Sequence, residues 1–398
     1  MAATGRVYLD YNASAPLLAE AREAVGEALA LTGNPSSVHG EGRALRSLIE
    51  QAREDVAALV NANPAEVVFT SGATESNVTV LAAGWDAVAM AGIEHDSVLA
   101  PVRASAARVI DLAVGANGVV SLAGLAEALA SAAGAGRGVV ALQMANNETG
   151  VLQPVADVAA IAREHGLKVH TDAVQAVGRV EIDFAALGAD TMALSAHKMG
   201  GPKGVGALVV RDGVELAALI RGGGQERRRR AGTENAGGIA GFGAAARVAR
   251  ERLSELTRVA GMRDRLEALL LAATPGAVIF GAGAARIGNT TCIGVAGRAS
   301  EITVIKLDVA GFAVSAGAAC SSGRVAMSHV LAGMGVEPQA ARGAIRISIG
   351  FETTAADIDA FAAAWQASHA SVPVVPGRAQ PKLEIRGRTF ETVSAIGE

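Results

Sequence analysis

The sequence predicts an α/β fold in which helices cover both faces of a mostly parallel sheet. Short apolar runs alternate with helical or loop segments along the middle of the chain, a pattern typical of parallel strands joined by crossover helices. The chain has 48 glycines, which suits many tight turns between strands and helices. Its 398 residues are enough for two domains and a large core.

The elements are predicted in chain order from the spacing of apolar residues. Helical spacing recurs over about 17–31 and 43–60, and a short strand at 66–70 then leads into another helix. Further strands are predicted at the apolar runs of about 87–90, 139–144, 168–172, 191–195 and 204–210.

The alternation stops at a Gly-rich segment, residues 221–238, and one long helix is predicted after it over about 240–272. We place a domain boundary within that helix. A large domain then spans 14–260, and a smaller α+β domain combines 1–13 with 261–372. The tail 373–398 mixes Pro, Gly and charged residues, and it is assigned to neither domain.

Composition argues against several classes of partner. The net charge of −4 gives no electrostatic case for binding nucleic acid or an anionic membrane. No apolar stretch of about 18 residues could span a bilayer, and MAATGRVYLD at the amino terminus does not resemble a secretory signal. The two cysteines, Cys292 and Cys320, make no disulfide framework. We therefore expect a cytoplasmic protein with free thiols.

Two charged residues follow neighbouring predicted strands. Lys198 comes directly after the run 191–195, whereas Lys203 lies in the turn beyond it. Asp172 closes the preceding strand, where a carboxylate needs a cationic partner unless it merely caps a helix. A lysine that can form a Schiff base and an acid that can pair with a pyridinium nitrogen are the minimum for pyridoxal phosphate (PLP) chemistry.

Other residues are candidates for holding such a cofactor. Residues 70–74 join a strand to a helix, whose free N–H groups and hydroxyls can bind phosphate, although an ordinary N-cap is the alternative. Ser195 and His197 can add donors beside it. Gln175 can reach the phenolic oxygen of the ring. His95 can stack on the ring and move protons, unless it is a structural loop residue.

Two further segments suit an amino-acid substrate. The amides of Asn146 and Asn147 end an apolar strand, where they form either a plain turn or a contact to cofactor or substrate carboxylate. Arg346 lies within an alternating apolar strand, where its guanidinium calls for a carboxylate from a substrate or from a structural ion pair.

The two thiols have different surroundings. Cys320 lies among small residues, which suits a thiolate that approaches a substrate and then leaves; a cysteine merely tolerated in a loop is the alternative. Cys292 lies on a strand-like run and is expected in the core.

Together these motifs resemble the cysteine desulfurases of the class V aminotransferase family over about residues 6–370. The matching segments are Tyr8-Leu-Asp10-Tyr-Asn12-Ala-Ser-Ala-Pro16, Gly33-Asn34-Pro-Ser-Ser-Val-His39, Phe69-Thr-Ser-Gly-Ala-Thr74-Glu-Ser-Asn77, Asn146-Asn147-Glu-Thr-Gly150, His170-Thr-Asp172-Ala-Val-Gln175, Ser195-Ala-His197-Lys198, Gly222-Gly-Gly-Gln-Glu226, Gly232-Thr233-Glu-Asn235, and the Cys320 loop with Arg346. The Cys320 loop is most similar to the nitrogen-fixation type. The resemblance implies the PLP-dependent transferase fold, which is aspartate-aminotransferase-like, with a seven-stranded, mainly parallel sheet in the large domain.

The resemblance also implies a role for each candidate residue. Lys198 would be the Schiff-base lysine, and Asp172, Gln175 and His95 would contact the ring. The phosphate would be held by Ala73, Thr74, Ser195 and His197, with Thr233 reaching it from the other subunit of a homodimer. The substrate would be bound by Asn147, Arg346 and Asn34. Cys320 would be the nucleophile and a transient iron–sulfur ligand.

The implied reaction converts L-cysteine to L-alanine, with the sulfur held on Cys320 as a persulfide. An iron–sulfur scaffold protein would accept it, with nitrogenase cluster assembly as a narrower case. A selenocysteine lyase or another class V PLP enzyme is the alternative. A non-catalytic scaffold would not need the lysine, acid, histidine and thiol together.

The four arginines at 227–230 depart from the family, which more often has a Gly among these basic residues. We expect a tolerated change on a polar loop.

Overall fold

The computed structural model describes residues 5–317 and 327–369. Its larger sheet has seven strands in the order β2-β8-β7-β6-β5-β3-β4. They are β2 (Val67–Thr70), β3 (Ala87–Ala91), β4 (Arg108–Leu112), β5 (Gly138–Ala141), β6 (Lys168–Asp172), β7 (Thr191–Ser195) and β8 (Gly206–Val210). Strands β3 to β7 run parallel, and β8 pairs antiparallel with both β7 and β2. The α/β prediction is therefore confirmed.

A smaller sheet has the order β12-β13-β10-β9 and is antiparallel. Its strands are β9 (Ala277–Ile279), β10 (Thr290–Val295), β12 (Ser315–Ala316) and β13 (Ala344–Ser348). Near the amino terminus, β1 (Val7–Tyr8) pairs in parallel with β11 (Phe312–Ala313). The first residues of the described chain thus join elements that lie about 300 positions later.

The helices of the described residues cover these sheets. They are α1 (Ala19–Ala30), α2 (Gly40–Leu59), α3 (Ala73–Leu81), α4 (Asp96–Ala104), α5 (Leu125–Ala133), α6 (Val155–Glu164), α7 (Phe184–Leu187), α8 (Ala236–Glu251), α9 (Leu256–Ala273), α10 (Ser300–Val309), α11 (His329–Gly333), α12 (Pro338–Arg342) and α13 (Ala355–His369). Within residues 5–317 and 327–369, no helix is long and apolar enough to cross a membrane.

The single helix predicted over about 240–272 is wrong. The chain instead forms α8 and α9 with a tight 3-10 turn, Arg252–Glu255, between them. Helix α8 packs on α1 and α2 beside the larger sheet, whereas α9 packs on α13 beside the smaller one. The break therefore lies where the chain changes from one packing partner to the other. At this point Arg252 pairs with Glu352 at 2.9 Å.

Two large apolar clusters hold these layers together. One surrounds the larger sheet, and the other lies between the smaller sheet, α9 and α13. Trp365 is fully buried in the second cluster, and its indole N–H donates to Thr274 Oγ1 at 2.8 Å. The proposed division into 14–260 and 1–13 with 261–372 stays a prediction.

Candidate functional site

The carboxyl ends of β6 and β7 lie side by side, because Asp172 pairs with Ala193 in the parallel register. Strand β7 leads directly into a 3-10 turn, Ala196–Lys198, which carries Lys198 past the sheet edge. The Lys198 ammonium donates to the backbone carbonyls of Asn12 at 2.6 Å and Ala13 at 3.0 Å. The amino-terminal segment therefore lies against the amine of the predicted Schiff-base lysine.

Asp172 is buried, and both its oxygens accept hydrogen bonds. Oδ1 accepts from the backbone N–H of Val174 at 3.0 Å, and Oδ2 accepts from the Asn77 amide at 2.8 Å. The same amide donates to Ser97 Oγ at 2.8 Å, and that hydroxyl lies 2.8 Å from His95 Nδ1. Asn77 and Ser97 therefore connect the two predicted ring contacts, Asp172 and His95.

The amide orientation of Asn77 is fixed from its other side by His170. His170 Nε2 lies 2.9 Å from Asn77 Oδ1, and its Nδ1 lies 2.9 Å from Thr191 Oγ1. Burial lowers the pKa of His170 to about 4, so the ring is neutral at pH 7. A neutral ring donates from one nitrogen only. With Nε2–H facing the amide oxygen, both N–H groups of Asn77 are directed to acceptors.

The first turn of α3 has the features of an anion site. The helix begins at Ala73 and Thr74, and Gly72 before it has a φ of +154°, which suits glycine. No side chain caps the free N–H groups of this helix start. A Cβ added at Gly72 would meet no atom within 4 Å, so the space beside this helix start is open. Free N–H groups at a helix start bind phosphate well. The sequence alone could not separate this arrangement from an ordinary N-cap.

Ser195 precedes the 3-10 turn Ala196–Lys198, which we call the lysine turn, and His197 lies within it. Ser195 is buried at the end of β7, and His197 Nδ1 lies 3.3 Å from Ser14 Oγ. Burial lowers the pKa of His197 to about 4, and the positive charge of Lys198 lowers it further in the same direction. A neutral imidazole at this position can donate a hydrogen bond to an anion without adding a full charge.

Arg346 on β13 makes the ion pair that the sequence left as one alternative. Its guanidinium donates to Asp10 Oδ1 at 2.8 Å and to the backbone carbonyl of Asn147 at 3.0 Å. The Nε–H of Arg346 is buried and has no partner in the described residues. The guanidinium is therefore paired through its terminal nitrogens and retains one unused donor.

Asn12 is a residue of the site that sequence reasoning missed. It is buried, and its side chain bonds the carbonyl of Asn147 at 3.2 Å and Thr290 Oγ1 at 2.9 Å. Its own carbonyl accepts from both Lys198 and Gln175. The motif containing Asn12 was visible in the sequence, but its partners come from separate strands and no spacing rule could reveal them.

Glu148 is a second such residue. It follows Asn147, is buried, and accepts a hydrogen bond from Ser328 Oγ at 2.5 Å. Burial raises the pKa of Glu148 to about 7, although the positive charge of Arg346 opposes the shift. A carboxyl group of this kind changes its charge near neutral pH.

Within the described part of the chain, two predicted residues make no hydrogen bond to this network. Asn34 is exposed and its side chain accepts from the backbone N–H of Ser36 at 2.9 Å. Thr233 is exposed in the segment before α8. Their roles toward substrate and phosphate stay predictions.

The structure describes one of the two cysteines, Cys292. Cys320, the predicted nucleophile and iron–sulfur ligand, lies outside the described residues. Cys292 is fully buried on β10, as predicted, and burial raises the pKa of its thiol. Among residues 5–317 and 327–369, no group of three or more His, Cys, Asp or Glu side chains could hold a metal ion.

The arginine run at 227–230 is more than a polar loop. Arg230 pairs with Glu75 of α3 at 3.0 Å, and Arg227 donates to the carbonyl of Ala65 at 2.9 Å. Glu75 also accepts from the backbone N–H of Ser71 at 2.8 Å. Arg230 therefore helps to hold the start of α3, the candidate anion site.

The residues present fit PLP. Asp172 offers a carboxylate for a protonated ring nitrogen, Gln175 an amide, the start of α3 an anion site, and Lys198 an amine. Taken together, these four features match a planar pyridine that carries an aldehyde and a phosphate.

Comparison with known proteins gives consistent results. The family model of class V aminotransferases matches residues 7–361. A cysteine desulfurase of Cereibacter sphaeroides is 43% identical over 366 residues, which are 89% of this chain and 93% of that protein. An IscS-like cysteine desulfurase of Mycobacterium tuberculosis is 38% identical over 369 residues, with 89% and 93% covered.

Solved structures are similar over almost the whole chain. A NifS-like protein from Rickettsia africae has a TM-score of 0.85 and 33% identity, and the match covers 91% of this chain and 99% of that one. The protein SspA in complex with cysteine has a TM-score of 0.74 and 30% identity, with 86% and 98% covered.

Proposed function

The chain belongs to the class V aminotransferase family, and we propose that it is a cysteine desulfurase that uses PLP. The observation that carries the proposal is the placement of Lys198 beside Asp172 at adjacent strand ends, next to the open start of α3. The alternative of a selenocysteine lyase is not favoured, because the similar proteins described above are named cysteine desulfurases.

The residues of the site would hold the cofactor at four points. Asp172 would hold the proton of the ring nitrogen, and Gln175 would bond the ring oxygen. The start of α3, with Ser195 and His197, would bind the phosphate. When bound, PLP supplies an electron sink for bonds at the substrate's α-carbon. Lys198 would attach the cofactor through Nζ and then move the α-proton, while His95, oriented by Ser97, would move further protons.

The sulfur step is proposed from the sequence around Cys320. Its thiolate would attack the sulfur of bound L-cysteine, so that an S–S bond forms as the Cβ–S bond breaks. The electron pair of the broken bond stays on carbon, which takes up a proton and leaves as part of L-alanine. The products are alanine and a persulfide on Cys320.

Binding of the substrate carboxylate is assigned to Arg346 and Asn147, with Asn34 as a further candidate. The unused Nε–H of Arg346 supports this assignment.

We further propose a homodimer in which Thr233 completes the phosphate site of the other subunit. An iron–sulfur scaffold protein would accept the sulfur, with Cys320 as a transient cluster ligand, in the cytoplasm.

The test is release of alanine and sulfide from L-cysteine in the presence of dithiothreitol and PLP. Wild type should be yellow and give equal amounts of both products. Lys198→Ala should lose the yellow colour and the activity, whereas Cys320→Ser should keep the colour and lose sulfide. A yellow wild type without sulfide, or an active Cys320→Ser variant, would refute the proposal.

A further inference from the structure

We propose that Arg179 is a positioning residue of the cofactor site, because it fixes the side-chain amide of Gln175 with its N–H group available as the donor. The inference deepens the proposed function and rests on it for the identity of the ligand. Arg179 follows Gln175 by four residues in the turn after β6, and it belongs to none of the motifs that the sequence analysis used.

Arg179 joins three parts of the site through donated hydrogen bonds. One terminal nitrogen donates to Gln175, both to its backbone carbonyl at 3.3 Å and to its side-chain oxygen Oε1. The other donates to the carbonyl of Tyr11 at 3.3 Å and to the carbonyl of Lys198 at 3.1 Å. The guanidinium therefore links the ring contact, the lysine turn and the amino-terminal segment.

The chemistry of the partners settles which way the Gln175 amide faces. A guanidinium has five N–H donors and no acceptor, so the amide atom beside Arg179 must be the oxygen. On the other side, the amide nitrogen lies 3.1 Å from the carbonyl oxygen of Asn12, which can only accept. Both ends of the amide are thus determined independently. The contacts of Gln175 in the described residues use one of its two N–H groups, and the second remains for a ligand.

In the described residues, the guanidinium of Arg179 donates hydrogen bonds only to uncharged acceptors. All of its hydrogen bonds in the described part of the chain go to three backbone carbonyls and one amide oxygen. By contrast, Arg53 and Arg346 are paired with the carboxylates of Glu226 and Asp10. Burial lowers the pKa of Arg179, but a guanidinium remains cationic at neutral pH. Arg179 is partly buried and has no carboxylate partner among the described residues, so its charge can act on a ligand of the site.

Both effects of Arg179 act in the same direction on a ring oxygen that becomes anionic. The fixed amide offers that oxygen a donor, and the nearby cation favours its negative charge. Without Arg179, only the carbonyl of Asn12 among the described residues would hold the amide, so its donor would be directed less firmly at the ring oxygen. The pH midpoint at which the visible absorption of the PLP-loaded protein changes should then rise. The expected rise is about one pH unit, because one unit corresponds to about the free energy of one hydrogen bond to a charged group.

The experiment is a pH titration of the visible spectrum for PLP-loaded wild type, Arg179→Met, Gln175→Leu and the double variant. Either single variant should raise the midpoint, and Arg179→Met should add less in the Gln175→Leu background than it does alone, because the amide contact is then already lost and only the effect of the positive charge remains. Arg179→Lys, which keeps a cationic donor beside Gln175, should stay close to wild type and covers the case in which Arg179→Met does not fold.

Arg211→Met is the matched control, since Arg211 also donates to backbone carbonyls, those of Ala189 at 2.9 Å and Phe184 at 2.6 Å, away from the lysine turn. It should leave the midpoint unchanged. An unmoved midpoint in Arg179→Met, fully additive effects, or an Arg179→Lys shift as large as that of Gln175→Leu would overturn the inference. A wild type that forms no chromophore with PLP would instead refute the proposed function.

Discussion

Asn77 is the side chain through which Asp172 and His95 are held in one network. Its two N–H groups go to Asp172 and Ser97, and its oxygen faces His170. Replacing it with Leu, which has a similar volume and no donors, should leave a buried carboxylate short of one bond and release Ser97. We predict that Asn77→Leu lowers kcat/KM for L-cysteine by about 10–100-fold, the usual effect of losing a supporting hydrogen bond.

Asn117→Leu is the control for this prediction, because Asn117 is exposed and its side chain caps only a local turn. Steady-state kinetics of both variants and their affinity for PLP, followed by absorption, would check it. Equal kinetics for Asn77→Leu and wild type would show that the network does not support the ring contacts.

Among individual residues, the sequence pointed to candidates with a distinctive side-chain chemistry and missed the residues that hydrogen-bond to them. Lys198 and Asp172 were singled out because Lys198 comes after an apolar strand and Asp172 closes the strand before it. The supporting roles of Asn77 and Asn12 depend on partners from distant strands, and such contacts leave no local pattern. A buried carboxyl such as Glu148 is equally invisible, since its burial is a property of the fold.

Glu148 makes a prediction about pH. Its pKa is raised from 4.5 to about 7 in the folded protein, so the folded state holds the proton more tightly than the unfolded state. This contribution to stability is complete below pH 4.5 and is lost as the pH rises through about 7. Glu148→Gln mimics the protonated form, and its stability relative to wild type should therefore increase over this range, by up to about 3 kcal/mol.

Urea unfolding of Glu148→Gln and wild type between pH 5 and pH 8 measures the difference. Glu23→Gln, on the exposed side of α1, is the control and should follow wild type at each pH. A constant difference between Glu148→Gln and wild type across the range would contradict the raised pKa.

Among the elements, the arginine run carries backbone strain. Arg228 has φ +64° and an exposed side chain, whereas its neighbour Arg229 has φ −87°. A left-handed conformation costs a residue with a Cβ about 1–2 kcal/mol, which glycine avoids at some loss of chain entropy. We predict that Arg228→Gly raises the free energy of unfolding by up to about 1 kcal/mol.

Arg229→Gly is the matched variant, because glycine brings no conformational relief at a negative φ. It should lower the free energy of unfolding by about 0.5–1 kcal/mol. Denaturant unfolding of both variants checks the pair. A destabilised Arg228→Gly would mean that contacts of the arginine side chain contribute more to the free energy of unfolding than the backbone strain costs.

Element prediction succeeded where one face or both faces of a segment are buried, as for β6 and β7. It missed β4, which is an edge strand with only Leu112 buried and therefore shows no apolar run. It also joined α8 and α9, because a tight turn between two amphipathic helices hardly disturbs the apolar spacing. These boundaries are set by packing partners rather than by the local sequence.

For the whole molecule, the chain offers a direct test of the predicted domains. It has two tryptophans, Trp85 beside the larger sheet and Trp365 in the second apolar cluster. Trp85→Phe leaves Trp365 as the sole reporter, and Trp365→Phe leaves Trp85. If 14–260 and the remainder unfold separately, fluorescence of the two variants should show different denaturation midpoints. Far-UV circular dichroism of each variant controls for altered stability, and coincident midpoints would contradict the division.

The central claim is transfer of sulfur from L-cysteine to Cys320. The most direct measurement is the intact mass of the PLP-loaded protein after L-cysteine is added without reductant, followed by peptide mapping. We predict a mass increase of one sulfur atom, located on the peptide that contains Cys320 and absent from Lys198→Ala. Cys292 is an internal control, since it is fully buried and its thiol is kept protonated. Alanine formed without added sulfur, or sulfur found on another residue, would contradict the account.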